Sequence, residues 1–206
     1  MAIQGLEEEE PSACKKPPVA GRLCEPSGGM RKVTSKSGVA QGPSPRSKAA
    51  PRSAAAEPQV AGFISKFEPT AATLIRQCRR ALRRLLPTAI ELVYDNYNFF
   101  VIGYASTERA SDCIVSLAAA ANGVGLSFYY GAGLEDPCGL LLGSGKQNRF
   151  IRLPAARVLS DPAVVELIRA AIANAKTPLP KAGGGYTLVK SISQKQRSRR
   201  KSPHAS

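Results

Sequence analysis

The sequence predicts an α+β domain, an antiparallel β-sheet flanked by helices, with a disordered N-terminal extension and a basic C-terminal tail. All twelve Phe and Tyr lie at or beyond Phe63, whereas eight of the sixteen prolines lie at or before Pro58. Helical periodicity marks two segments, and short β-branched and aromatic runs lie between them. Helix, strands, helix is an α+β order, distinct from the alternating order of a parallel sheet. The chain therefore divides into an Ala/Ser/Pro-rich extension (1–60), a folded domain (61–180) and a possible edge strand followed by a basic tail (181–206).

Residues 1–60 mix Ala, Ser, Pro, Gly and Lys/Arg without evident periodicity, and such a segment buries too little apolar surface to offset its ordering entropy. Glu7 to Glu10 are the opposite of the positive start of a secretory signal, and they also oppose a transit peptide. Of the +14 net charge, residues 1–60 carry +3, 61–180 carry +4 and 181–206 carry +7. The excess sits mainly in the tail and bears on the sign of partners rather than on the fold.

The first helix is expected over residues 70–86. Leu74, Ile75, Cys78, Ala81, Leu82, Leu85 and Leu86 share one face. Pro69 suits the first turn and Pro87 ends the helix. Arg76, Arg79, Arg80, Arg83 and Arg84 are expected on the solvated side. The run Ile90–Tyr94 and the polar cluster Asp95–Asn98 lead to Phe99–Tyr104, which reads as a strand buried on both faces.

Cys113 to Leu134 is 22 residues without a charge, long enough to cross a bilayer. Four glycines and Asn122-Gly123, a type I′ turn dipeptide, make it a hairpin of two strands instead. Arg149–Leu153 reads as another short strand. Asp161 caps the final helix, with Pro162 at its first position and Val164, Val165, Ile168 and Ile172 as its stripe. Tyr186–Ile192 reads as an added edge strand. About 120 residues bury enough surface for one core without disulfides or metal. The cysteines at 14, 24, 78, 113 and 138 lack C-x-x-C spacing and are expected as free thiols in a reducing cytoplasm.

The chemistry-bearing passage is Leu134 to Arg149. Asp136-Pro137 starts a turn whose carboxylate accepts exposed backbone N–H groups. Gly143 and Gly145 permit a tight bend whose N–H groups can form an anion nest, with Ser144, Lys146, Arg149 and Arg152 beside it. It is not a nucleotide-binding P-loop. Gly139 is one residue too far from Gly145, and Gln147 replaces the hydroxyl residue.

Asp136-Pro137, Gly139-Leu140-Leu141 and Gly143-x-Gly145-Lys146-x-x-Arg149 resemble the hallmark of the YdhG-like family, a domain of unknown function. The stretches Glu91–Asn98, Thr107–Asp112 and Leu188–Ile192 are similar to one branch of it, so the resemblance spans about residues 65–200. It implies an antiparallel sheet flanked by helices. One bacterial branch is linked to a frataxin-like iron-chaperone role.

The single histidine, His204, excludes chemistries that need imidazole at the reacting centre. Cys138 has no imidazole to activate it, and Glu91 with Asp95 could share a helix face but are expected to be solvated. No catalytic residue, metal ligand or cofactor is therefore assigned. The expected function is a non-catalytic binding module for an anionic small molecule or acidic partner. Its pocket would lie between the sheet and the Gly143–Arg152 loop, lined by Tyr94, Tyr97 and Tyr130. The alternatives are the iron chaperone implied by the resemblance and non-specific nucleic-acid association. The latter would use Arg79, Arg80, Arg83 and Arg84 on the helix with Arg199 and Arg200 in the tail. A membrane partner is not expected.

Overall fold

A computed structural model describes residues 49–200, and their side chains from residue 54 onward. Most of the N-terminal extension, with Cys14 and Cys24, lies outside the described residues, as do Lys201 and His204. The fold is α+β, as the sequence predicts. The elements are α1 (Ala49–Ser65), α2 (Pro69–Leu85), β1 (Ile90–Asp95), β2 (Phe100–Ala105), β3 (Cys113–Ala120), β4 (Gly123–Phe128), β5 (Arg149–Arg152), α3 (Pro162–Ala173) and β6 (Thr187–Ile192). Strands β1 to β5 form an antiparallel meander. The chain then returns to the far edge, where β6 pairs parallel to β1, giving the order β5-β4-β3-β2-β1-β6.

The local signals place most elements. Pro69 opens α2, and its last turn carries Arg83 and Arg84, where the helix dipole favours cations. In α3 the Asp161 carboxylate accepts the N–H of Ala163 at 2.9 Å, with Pro162 in the first turn. Both helices bury their stripes against one face of the sheet. The core there includes Ile75, Cys78 and Leu82 from α2, Phe100, Ile102 and Leu117 from the strands, and Leu167 and Ile168 from α3.

Two expectations are corrected, and one run that carried no assignment is placed. Residues 49–60, expected to be disordered, form most of α1. Ala56, Val60, Phe63, Ile64 and Phe67 are buried at three-to-four spacing, so this segment has a core-facing stripe despite the internal Pro58. The run Ile90–Asp95 is a full strand at the centre of the β2-β1-β6 edge. The hairpin turn is one residue earlier than expected. Ala120 pairs with Gly123, so Ala121 and Asn122 are its two turn residues.

The tail is also ordered beyond β6. Ser193 N–H donates to the Asp95 carbonyl at 2.9 Å and Arg197 N–H to the Tyr97 carbonyl at 3.0 Å, laying residues 193–200 along the end of β1.

The return to β6 needs a glycine at one point. Gly185 N–H donates to the Pro87 carbonyl at 2.8 Å, and a Cβ on Gly185 would lie 2.0 Å from the Ala89 carbonyl oxygen. The obstacle is backbone and cannot swing aside. Gly185→Ala is expected to lower the melting temperature by roughly 4–8 °C, corresponding to a cost of about 2 kcal/mol. An unchanged thermal unfolding curve would remove this constraint.

Candidate functional site

The Gly143–Arg152 loop is a closed bend. Leu142 and Phe150 bridge it through two backbone hydrogen bonds of 2.8 and 3.0 Å. Gly143 takes φ +103°, the region that favours glycine. The Asp136 carboxylate accepts from Leu141 N–H at 2.6 Å, the local role expected of it. Ser144, Gly145 and Lys146 are exposed.

The two arginines of this segment separate. The Arg149 guanidinium donates to the carbonyls of Gly145 and Asn148, so it clamps its own loop. In β5, Arg149 pairs opposite Phe128, and Arg152 lies three residues on, pointing to the other side of the sheet. Arg152, and not Arg149, therefore joins a large cleft on the face away from the helices.

That cleft has a volume of 940 Å³. Its floor follows from strand register. Val101, Ala118, Gly125 and Arg152 form one cross-strand row, and Gly103, Ser116, Ser127 and Phe150 form the next. The middle of the floor is thus Ala118, Gly125, Ser116 and Ser127, all small. Larger rings stand around it: Phe99 is 49% exposed, Tyr129 37% exposed and Phe150 half-buried. Gln147 and Asn148 add amide groups from the loop. A sheet face left to water usually carries charged side chains. Here the lining holds a single charge, Arg152, and no carboxylate.

The predicted tyrosines lie elsewhere. Tyr94 is half-buried in the Val101 row, but its neighbours are the small apolar cluster of Leu92, Cys113 and Leu188. Its hydroxyl is buried without a hydrogen-bond partner, and burial raises its pKa above 10.0. Tyr97 is 51% exposed in the β1–β2 turn. Tyr130 donates to the Ser111 carbonyl at 3.2 Å, with the Lys176 ammonium 4.7 Å from its ring centre. Phe99, Tyr129 and Phe150 take the place at the cleft that had been expected for Tyr94, Tyr97 and Tyr130.

The expected arginine surface is corrected more sharply. Arg79 is buried, not solvated. It donates to Glu91 at 2.6 Å and to both oxygens of Glu57 at 2.8 and 2.9 Å. Arg83, half-exposed, joins the same two carboxylates at 2.7 and 2.8 Å. Thr187 and Tyr104 complete the shell of Glu91 at 2.7 and 3.2 Å. Arg199 is 4% exposed, donates to Asp95 at 3.1 Å and lies 5.8 Å from the Phe67 ring centre. Asp95 also receives the Lys66 ammonium at 2.6 Å. Arg80, Arg84 and Arg200 are exposed. The six expected nucleic-acid contacts thus do not form one surface.

Glu91 and Asp95, on one side of β1, are both buried and both ion-paired. Burial disfavours the Glu91 carboxylate, but the hydrogen bonds and charges of Arg79 and Arg83 outweigh it and hold its pKa below 4.5. The same opposition, with the same outcome, acts on Glu57. Burial pushes the Cys78 thiol up to about 11 and Cys113 to about 12, so both stay protonated at neutral pH. Both are free, whereas Cys138 is disulfide-bonded, which corrects the expectation of free thiols at that position. Among the described residues no group of three or more His, Cys, Asp or Glu converges as metal ligands do, and no helix is long and apolar enough to cross a membrane.

No family model, no curated protein and no solved structure matches this chain.

The ionic centre makes two predictions. Arg79→Ala strands Glu91 without its closest cation and is expected to cost about 3–5 kcal/mol in denaturant unfolding. Glu57 and Glu91 bind protons more weakly folded than unfolded. Their contribution is therefore complete above the unfolded value of 4.5 and is lost as the pH falls below it. Melting temperatures measured from about pH 6 to 3 should fall more steeply for the natural chain than for Glu91→Gln, which starts lower at neutral pH. Parallel curves would place the acid sensitivity elsewhere.

Proposed function

We propose that this protein is a non-catalytic binding module whose site is the cleft on the open face of the sheet, and that it takes small anionic ligands bearing a flat ring. One observation carries the reading: a floor of Ala118, Gly125, Ser116 and Ser127 rimmed by Phe99, Tyr129 and Phe150, with Arg152 as its single charge. Small side chains let a planar group lie against the sheet, while aromatic walls offer stacking surface. Arg152 supplies a charge-assisted donor for phosphate or carboxylate, and Gln147 and Asn148 supply orienting amides. The volume of 940 Å³ falls in the range of ligand sites.

The absence of a catalytic role is part of the same proposal. It is supported by Glu57, Glu91 and Asp95 being engaged in ion pairs and by the raised thiols of Cys78 and Cys113. Membership of the YdhG-like family also belongs to the proposal, on the motifs described above, as does a cytoplasmic address, on the free thiols of Cys78 and Cys113 alone.

Ring-bearing anions such as nucleoside monophosphates and aryl carboxylates are expected to bind in calorimetric titration. Arg152→Ala should weaken that binding about tenfold or more, by the worth of a charged hydrogen bond. Lys146→Ala should weaken it less, and Arg149→Ala least, because that guanidinium is held by its own loop. The reading fails if no such anion binds, or if Arg152→Ala leaves the affinities unchanged.

A further inference from the structure

We propose that the natural occupant of this cleft is a single-stranded nucleic acid, RNA or DNA, whose bases stack in series on Phe99, Phe150 and Tyr129 and whose phosphates face Arg152 and Lys146. This rests on the preceding reading of the site and names the ligand class within it. The first support is the length of the trough. Along β4 the floor runs from Gly123, at the Phe99 end, to Tyr129. Six residue steps of extended chain span about 20 Å, far more than one base ring needs.

The second support is how the rings are spaced. Phe150 lies opposite Ser127, two residues from Tyr129 along the neighbouring strand, with Phe99 at the other end of the floor. The platforms are therefore separate and lie one after another on an open sheet. Sheets that bind single-stranded RNA use aromatic side chains this way, stacking two or three splayed bases. The polar groups between the rings (Ser116, Ser127, Gln147 and Asn148) offer donors and acceptors to base edges.

The third support is charge. Arg152 is the one charge lining the cleft, Lys146 is exposed on the adjoining loop, and the lining holds no carboxylate. The buried carboxylates Glu91 and Asp95 and the half-exposed Glu57 are already paired with cations. An anionic chain with aromatic bases complements both the sign and the surface. A duplex does not, because its bases are stacked inward and its grooves do not present ring faces.

The test uses the full chain and fluorescence anisotropy with labelled ten-nucleotide RNA and DNA strands, the matching duplexes, and mononucleotides as competitors. Single strands are expected to bind at least about tenfold tighter than mononucleotides or duplex. Phe99→Ala and Tyr129→Ala should each weaken them about fivefold or more, as loss of a stacked base does. Arg152→Ala should weaken binding and reduce the logarithmic salt slope by about 1. All three positions are exposed, and unaltered melting curves will show the variants to be folded. The preference between the RNA and DNA arms identifies the sugar read.

Mononucleotide binding that responds to these variants, with no gain for longer strands, overturns the nucleic-acid proposal and leaves the small-ligand reading intact. Strand binding indifferent to all three variants, or a preference for duplex, also overturns it. Absence of binding to either class overturns the nucleic-acid proposal, and overturns the small-ligand reading as well if aryl carboxylates also fail to bind.

Discussion

The buried Arg79 guanidinium is the constraint on which the rest of the structure depends. It reaches Glu91 on β1 and Glu57 on α1, while Thr187 on β6 and Tyr104 on β2 close the same shell. Five elements therefore meet at one ionic centre. Removing such charges from water costs several kcal/mol per ion, and only good geometry returns it. A slip of α1 or α2 by one residue would strand a buried charge. The apolar core, which includes Ile75, Leu82 and Phe100, is less discriminating, because apolar surfaces pack in several registers. The ionic centre thus selects among arrangements that burial alone would allow.

The two faces of the sheet follow from that arrangement. All three helices lie on one side, where α1 packs against β6 and α2, and α2 and α3 against β3. On the other side, the β1–β6 end is filled by Leu92, Leu188 and Tyr186, with Tyr94 beside them. What stays open is the stretch from β2 to β5, where the floor is built of glycine, alanine and serine. Small residues there gain little from burial within the chain itself. Their surface gains stability only against something else, and the rim of Phe99, Tyr129 and Phe150 determines what that can be.

Much of this was legible in the sequence where one segment decides its own structure. The α2 stripe, the capped start of α3, the uncharged hairpin and the edge strand all follow from periodicity, proline positions and capping chemistry. Helix α1 was hidden because its stripe is interrupted by Pro58 and lies in Ala/Pro-rich composition, although Val60, Phe63, Ile64 and Phe67 carry the helical spacing. The arginines of α2 look equivalent on a helical projection. Only the partners of Arg79, Glu57 and Glu91, 22 and 12 residues away, distinguish it from Arg80. At the candidate site, the bend at Gly143–Arg149 was readable from its glycines. The cleft was not, because which residues share a row depends on the pairing of four strands, and a shift of one residue exchanges the faces.

Strand β6 has one further effect, on the order in which the chain is completed. The meander β1 to β5 joins neighbours in sequence, whereas Glu91 pairs with Thr187, 96 residues later. On the ribosome, β1 therefore emerges with one edge lacking its neighbour, and that edge stays unpaired until the 96 residues up to Thr187 have been synthesised. An unpaired edge is a template for association with other nascent chains. Closure by the last strand ends this exposure and seals the first helix in the same step, so a nascent chain truncated before β6 leaves both unprotected.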